Sequence, residues 1–446
     1  MIPHRLPLTA RETRHNRRNN LKERVMRRKR LEDYINKTRE LLNDIEYLNR
    51  SRKSPRFFTR SRKMPFRKLV SFMLYMVKES ITNASERFFE KTGDDTTEMT
   101  EQSFSEARDK INWPAIAELY RMTVDLGYEG CYETWHGYRV SAVDGSKIAL
   151  PSDKVLKDYF GAAGSGAASV TGQGSILYDV YNKIVIDASL SPLSNGEREL
   201  AEKHIERLCE LKSFHKELII LDRGYPSFDF IKFLSDHNIA FVMRVRTKFN
   251  KDIDAQTVKD GTVVLKQRGA EDIKVRVLKF KLSSRETEML ITNLPDRRMG
   301  IKAFKTLYFK RWPVETKYDE IKNKIELENM SGRTINSVMQ DFYVSMFMTD
   351  TAAAASREAQ PIITEQREGK QNKYIYHVNM NHAAGVLKDH FIKALFEKSP
   401  ETRKKKIEKI IHLLTKHPVP YRPERSIPRN KSPRKVKFHH NQKPNC

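Results

Sequence analysis

The sequence predicts an α/β protein built on a mixed sheet, and two observations carry that expectation. Three strand-like runs come first, at residues 138–143, 176–181 and 184–190. Helical and strand-like patterns then alternate: helix 197–211, strand 218–221, helix 228–237, strand 240–245. Successive strands followed by strands separated by helices imply mixed strand directions, with helices flanking the sheet.

Before this centre the chain is basic and helical. Residues 1–65 form a basic N-terminal arm with a helical pattern at 31–47, and Pro55 and Pro65 then break the chain. Residues 66–130 are expected to be a helical DNA-binding region. An apolar helical pattern runs through 66–89, a polar turn follows at 92–97, and Thr100 is placed to cap a helix over 101–110. Two helices and a turn are the outline of a DNA-reading motif, with Ser103, Ser105 and Arg108 as candidate readers, although any helical hairpin shares that outline.

The central region is set at 131–350. Strand-like runs at 262–267, 273–280 and 286–292 give it a β-rich insertion over 248–295, after which the chain turns helical, with a C-terminal helical region at 351–400. The stretch 161–174 is rich in Gly, Ala and Ser but lacks the GK[ST] ending of a phosphate-cradling loop, and reads as a mobile loop beside the site. Residues 401–446 read as a basic tail, disordered without DNA, in which prolines from Pro418 onward sit among Lys and Arg. No internal repeat is evident.

Charge is distributed unevenly. Of the net charge of +26, residues 1–68 hold 22 Lys/Arg against 7 Asp/Glu and residues 401–446 hold 14 against 3, so the residues between are formally neutral. Such ends suit salt-sensitive, sequence-blind binding to DNA phosphates, while simple solubilisation, RNA or anionic lipid fit the charge equally well. The chain lacks eighteen consecutive apolar residues and an apolar signal-peptide core, so a cytoplasmic, soluble protein is expected. Cys131, Cys209 and Cys446 are widely spaced, which excludes a CxxC zinc site and reads as reduced, inert thiols.

Two aspartates stand where metal chemistry could begin. Asp144 follows the run 138–143 at an expected turn, and Asp222 follows 218–221 before Arg-Gly-Tyr. Each alone is an ordinary turn former or helix cap. Carboxylates at the ends of neighbouring strands, about 4.8 Å apart, would repel unless a cation lay between them. A third element supplies Tyr308, Arg311, Glu315 and Lys322, whose intervals of 3, 4 and 7 place them on one helical stripe. Pro313 favours a kink or a fresh helix start, which would set Glu315 in a first turn where the helix dipole favours its ionised form. A solvated face with ordinary ion pairs accounts for the same spacing.

Taken together these residues resemble the insertion sequence four (IS-four) family of transposases, which carries a Tyr, Arg, Glu, Lys signature spaced by two, three and six intervening residues. The likeness includes Val143-Asp144-Gly-Ser, Leu221-Asp222-Arg-Gly-Tyr and Asn195-Gly-Glu-Arg-Glu-Leu-Ala, and spans roughly residues 66–350. It implies an RNase H-like fold with Asp144, Asp222 and Glu315 as a DDE triad. It further implies two Mg²⁺ ions at that triad, with Mn²⁺ able to substitute, and cut-and-paste transposition: cleavage at the ends of a mobile element, then joining to target DNA. Tyr308, Arg311 and Lys322 would contact DNA phosphates or a base, and pairing of two ends implies a homodimer on double-stranded DNA. The insertion is compact for the family. A nuclease without strand transfer and a silent DNA-binding relative remain as alternatives. His204 and His237 are expected to be structural, Trp312 is read as a core aromatic rather than a DNA wedge, and Glu197 and Glu199 as supports of the metal site or simple helix-start acids.

Overall fold

The computed structural model describes residues 30–60, 63–75, 80–94, 99–164, 169–210, 216–282, 286–296 and 298–422. Residues 1–29 and 423–446, which include parts of the two basic ends and Cys446, lie outside the described residues.

The sheet is organised around β1 (Arg139–Ala149). On one side β1 pairs antiparallel with β3 (Ser169–Asp179), which pairs antiparallel with β4 (Ile184–Ser191) and, at its start, with the short β2 (Ala162–Ala163). On the other side β1 pairs parallel with β5 (Glu217–Leu221), and β5 pairs parallel with β6 (Ala240–Val245). α8 (Glu197–Glu210) leads from β4 back across to β5, and α9 (Phe228–Asp236) forms the crossover from β5 to β6, as the alternation of patterns requires. This is the RNase H-like mixed sheet that the resemblance implies. Strands β5 and β6 are buried along almost their whole length, which explains their continuous apolar runs.

The β-rich insertion extends this sheet. β9 (Thr287–Thr292) pairs antiparallel with β6, and β8 (Ile273–Lys281) and β7 (Asp260–Leu265) follow outward. The edge that β6 would otherwise expose is thereby covered.

Two expectations are corrected here. Strand β1 does not turn at Asp144 but runs on to Ala149, because its antiparallel partner continues opposite it: Gly145 faces Ser175 and Ala149 faces Thr171. That partner is the Gly-rich stretch read as a mobile loop, of which residues 169–174 are strand and 165–168 are outside the described residues. Glycine is required there by packing. A Cβ on Gly172 would lie 2.7 Å from Leu190 Cδ1, and one on Gly174 would lie 2.9 Å from Ile148 Cγ1.

A helical body packs beside the sheet. Its axis is α13 (Ile335–Gln366), 32 residues long and buried through most of its first twenty. α6 (Trp113–Tyr128) lies along it, with Trp113 stacked on Tyr343 at 5.5 Å. Residues assigned to the arm join this body: in α1 (Leu31–Asn43), Leu31, Tyr34 and Ile35 are fully buried, and α2 (Ile45–Ser51) packs on α6. The tail assignment is also corrected at its start. α15 (Pro400–Thr415) buries Ile407, Ile410, Ile411 and Leu414 against α13 and α14 (Met380–Phe396), a stripe obscured in the sequence by neighbouring lysines. No described helix is long and apolar enough to cross a membrane.

The helical pattern through 66–89 resolves into α3 (Phe66–Tyr75) and α4 (Ile81–Thr92), and α5 (Glu101–Asp109) starts where expected, with Thr100 Oγ1 accepting from the Ser103 amide at 3.2 Å. Arg108, a candidate reader, is an internal pin instead. It is 1% exposed and donates to Gln340 Oε1, Asp341 Oδ1 and the Ser337 carbonyl at 2.9, 2.8 and 3.0 Å. A guanidinium buried among acceptors on α13 and its approach cannot read a base; Ser103 and Ser105 are exposed.

Candidate active site

Three chain segments meet where β5 ends beside the middle of β1. Strand β5 pairs with β1 only up to Ala142, so β1 outruns it and Asp144 stands on the flank left free. Asp222 is the first residue after β5, in a turn closed by the Tyr225 amide donating to the Asp222 carbonyl at 3.1 Å. The parallel register therefore sets both aspartates at the same edge of the sheet, one by strand overrun and one by strand end.

The third segment crosses this edge. α11 (Ile301–Phe309) ends before Arg311, and α12 (Trp312–Asn323) begins afresh with Pro313 in its first turn, where a missing amide costs nothing. Glu315 lies in that same first turn, as the position of Pro313 leads one to expect. Hydrogen bonds fasten the two helices to the strands. Tyr308 Oη donates to Asp222 Oδ1 at 3.3 Å, Tyr318 Oη donates to the Asp144 carbonyl at 3.2 Å, and Lys322 Nζ donates to the Lys147 carbonyl at 2.5 Å.

Arg311 is the cation of the site. It is 5% exposed, and its Nη2 donates to Glu315 Oε1 at 2.8 Å. Of the four signature residues it is the most inward-facing together with Tyr308, whereas Lys322 turns toward β1 and also lies 3.5 Å from Glu328. Burial pushes the Asp144 carboxyl up to about 7, an effect opposed by Arg311 and reinforced by the negative charges of Glu315 and Glu197. Burial likewise raises the hydroxyls of Tyr308 and Tyr318, with Asp222 adding to the first and Asp144 to the second. The three carboxylates thus share one electrostatic environment with the Arg311 guanidinium.

Glu197, at the start of α8, belongs to the same environment. A Cβ on Gly145 would lie 3.2 Å from its Oε1 and one on Gly224 3.9 Å from its Oε2, so its carboxylate spans the backbone beside Asp144 and that after Asp222. Arg198 holds the helix start there by donating to the Gly224 carbonyl at 3.1 Å. The Asn195-Gly-Glu-Arg motif is the sequence signal for this placement. Glu199 instead pairs with Lys203 on the exposed face.

Among the described residues no group of three or more His, Cys, Asp or Glu side chains is arranged to hold a metal ion. Arg311 occupies Glu315 directly, so the positive charge that this acidic edge requires comes from within the chain. The donor set is nevertheless the right kind for a hard dication: oxygen donors throughout, and a half-buried carboxyl in Asp144 whose charge desolvation penalises and an added cation would favour.

Other residues separate into structural and exposed. His204 is satisfied, with Nδ1 2.7 Å from Asp187 Oδ2 and Nε2 2.9 Å from Ser175 Oγ, and His237 caps its helix through the Phe233 carbonyl at 2.8 Å. Trp312 is not a core aromatic: it is 53% exposed at the start of α12, with the Arg311 guanidinium 5.6 Å from its ring centroid. Position next to a helix start, rather than hydrophobicity, decides its exposure.

Comparison with known proteins agrees with this geometry. A family described as Transposase DDE domain matches residues 135–349, the span from just before β1 to α13 that holds all three carboxylates. A search of curated proteins finds no match. Among solved structures, the cryo-EM structure of the piggyBac transposase synaptic complex with hairpin DNA is similar at a TM-score of 0.46 and 8% identity, over 84% of this chain and 85% of that one, too loose a likeness to bear on function. Residues 135–349, just under half of the chain, are thus similar to the family described as Transposase DDE domain.

Proposed function

We propose that the chain is a cut-and-paste DNA transposase of the IS-four type in which Asp144, Asp222 and Glu315 are the catalytic carboxylates. The observation that carries this reading is the tie of α11 to Asp222 by Tyr308 and of α12, the Glu315 helix, to the Asp144 carbonyl by Tyr318. These two bonds support a common site for Asp144, Asp222 and Glu315 by tying the segments that carry them to one another.

In this reading Asp144, Asp222 and Glu315 would hold Mg²⁺, or Mn²⁺ in its place, which when bound would supply Lewis acidity for phosphodiester cleavage and strand joining. The protein's own residues prepare that site. Arg311 keeps Glu315 oriented toward the strands and limits repulsion among the acids. Tyr308 fixes the rotamer of Asp222, and Tyr318 holds β1 at the residue that matters. Glu197 supports both aspartate segments from the far side. Trp312 offers an exposed ring at the rim for stacking on a base, and the basic ends supply affinity for the backbone of double-stranded DNA. Two copies, each on one end of the element, form the working homodimer.

The test is to incubate the protein with DNA carrying its gene's own flanks, in Mg²⁺ and in EDTA, and to map ends and joined products. Cuts at both flanks followed by joining to a second DNA support the reading. Cuts without joining would identify a nuclease on the same fold.

A further inference from the structure

A second site lies away from the carboxylates, in a cleft of about 970 Å³ between the segment that follows α2 and the helix α5. Arg56, Phe57, Phe58, Arg60, Lys63 and Lys110 line it, and Met64 and Met99 contribute apolar surface. Glu106 is its single acid among the lining residues. The side chains of Arg56, Arg60 and Lys63 are exposed and have no carboxylate partner among the described residues, in contrast to Lys53, which pairs with Asp109 at 2.7 Å.

The walls are anchored. The Lys53 amide donates to the Lys110 carbonyl and the Asn112 amide to the Ser51 carbonyl, each at 2.9 Å, and Arg52 Nη1 closes the turn on the Phe57 carbonyl at 2.9 Å. Phe58 sits at φ +59°, a left-handed conformation that a bulky residue adopts at a cost, held there by packing on Phe66 with ring centroids 5.7 Å apart. The other wall, α5, is fixed to α13 by Arg108. Phe57 is left half-buried along the cleft, with Lys110 Nζ 5.8 Å from its ring centroid.

We propose that this cleft takes a short stretch of unpaired DNA, a reading that rests on the chain being a DNA-acting transposase. Cations interleaved with aromatic rings are what an unpaired strand needs: phosphates meet Arg56, Arg60 and Lys63, while exposed bases meet Phe57 and the methionines. The cleft's volume falls within the range of small-molecule sites, roughly 300–1,000 Å³, enough for a few nucleotides. A duplex hides its base faces and could use only the cations. The apolar lining would then be wasted.

The experiment uses the full chain in EDTA, so that cleavage plays no part. Oligothymidylate carrying 5-iodouracil is photocrosslinked to the protein and the adducts are mapped by mass spectrometry, with the same strand annealed to its complement as a second arm. Adducts on Phe57 or Met64 from the single strand, at least tenfold weaker from the duplex, are expected. In Arg56→Ala/Arg60→Ala/Lys63→Ala they should disappear, and the log–log salt slope of oligothymidylate binding should fall by about 2. Phe57→Ala should weaken binding about tenfold and leave the slope unchanged. Adducts confined to other segments, or equal yields from duplex and single strand, overturn the proposal. Either result leaves the cleavage test of the carboxylate site untouched.

Discussion

The Tyr308 hydroxyl donates to Asp222 Oδ1 across 3.3 Å, and through this bond the helix before Glu315 is registered against the strand end that carries the second aspartate. Both partners are at least half-buried and Tyr308 is 6% exposed, so the bond forms where water competes little. Tyr308→Phe keeps the ring and removes the link. It should lower stability by only about 1 kcal/mol in urea denaturation. Cleavage should fall more than stability does, about tenfold, because Asp222 loses the contact that fixes its rotamer. Unchanged cleavage would show that Tyr308 only packs.

Arg311 faces Glu315 from a nearly solvent-free position, so its replacement by Lys is not conservative: one point charge cannot reproduce the planar fork. Arg311→Lys should reduce cleavage at least tenfold with the fold intact by circular dichroism. Arg311→Ala should reduce it further and leave an uncompensated acidic cluster. Restoration of Arg311→Lys activity by raised Mg²⁺ is the signature expected if Arg311 prepares the acids for a cation.

Arg108 joins α5 to α13 through a pair with Asp341 whose side chains are 2% and 12% exposed. Breaking a buried pair from one side leaves the other charge without compensation, at a cost of about 3–5 kcal/mol. Arg108→Ala should show that loss in urea unfolding. A loss below about 1 kcal/mol would contradict the internal role assigned here.

Asp350, buried on α13, is pushed up to about 7 by burial, although it accepts from the Val185 amide at 2.9 Å and has Lys317 and Arg357 nearby. Its folded value is above its unfolded one, so the folded state holds the proton more tightly. Stability should be highest below about pH 4, fall as pH rises toward about 7, and level off beyond. Asp350→Asn keeps an acceptor for Val185 and carries no charge. It should flatten that slope and raise the melting temperature at pH 8; an unchanged pH profile would exclude Asp350 as the source.

Much of the architecture was legible from periodicity. The strands at β4, β5 and β6 and the helices α8 and α9 appear close to their expected positions, because fully apolar runs and 3.6-residue stripes are strong local signals. What local pattern could not reveal is tertiary. The Gly-rich half of β3 reads as a loop because its glycines answer to Leu190 and Ile148, residues distant in sequence or on another strand. Asp144 reads as a strand end because only β5, not β3, stops there. α15 was hidden by the lysines on its outer face, and Arg108 by the rule that arginines are exposed. At the site, spacing brought Tyr308, Arg311 and Glu315 onto one stripe, but which of them faces inward follows from the helix break at Pro313. Glu197 was legible only as a motif whose purpose awaited the geometry of Gly145 and Gly224.

The most direct test of the central claim is a paired measurement on Glu315→Gln, Asp144→Asn and Asp222→Asn: affinity for DNA bearing the gene's flanks, and Mg²⁺-dependent cleavage of that DNA. Affinity should stay within about twofold of the unaltered protein, since the basic ends are untouched, with cleavage reduced at least a thousandfold in all three. Cleavage that survives any one of these substitutions would contradict the assignment of that carboxylate, and survival in all three would place the chemistry elsewhere.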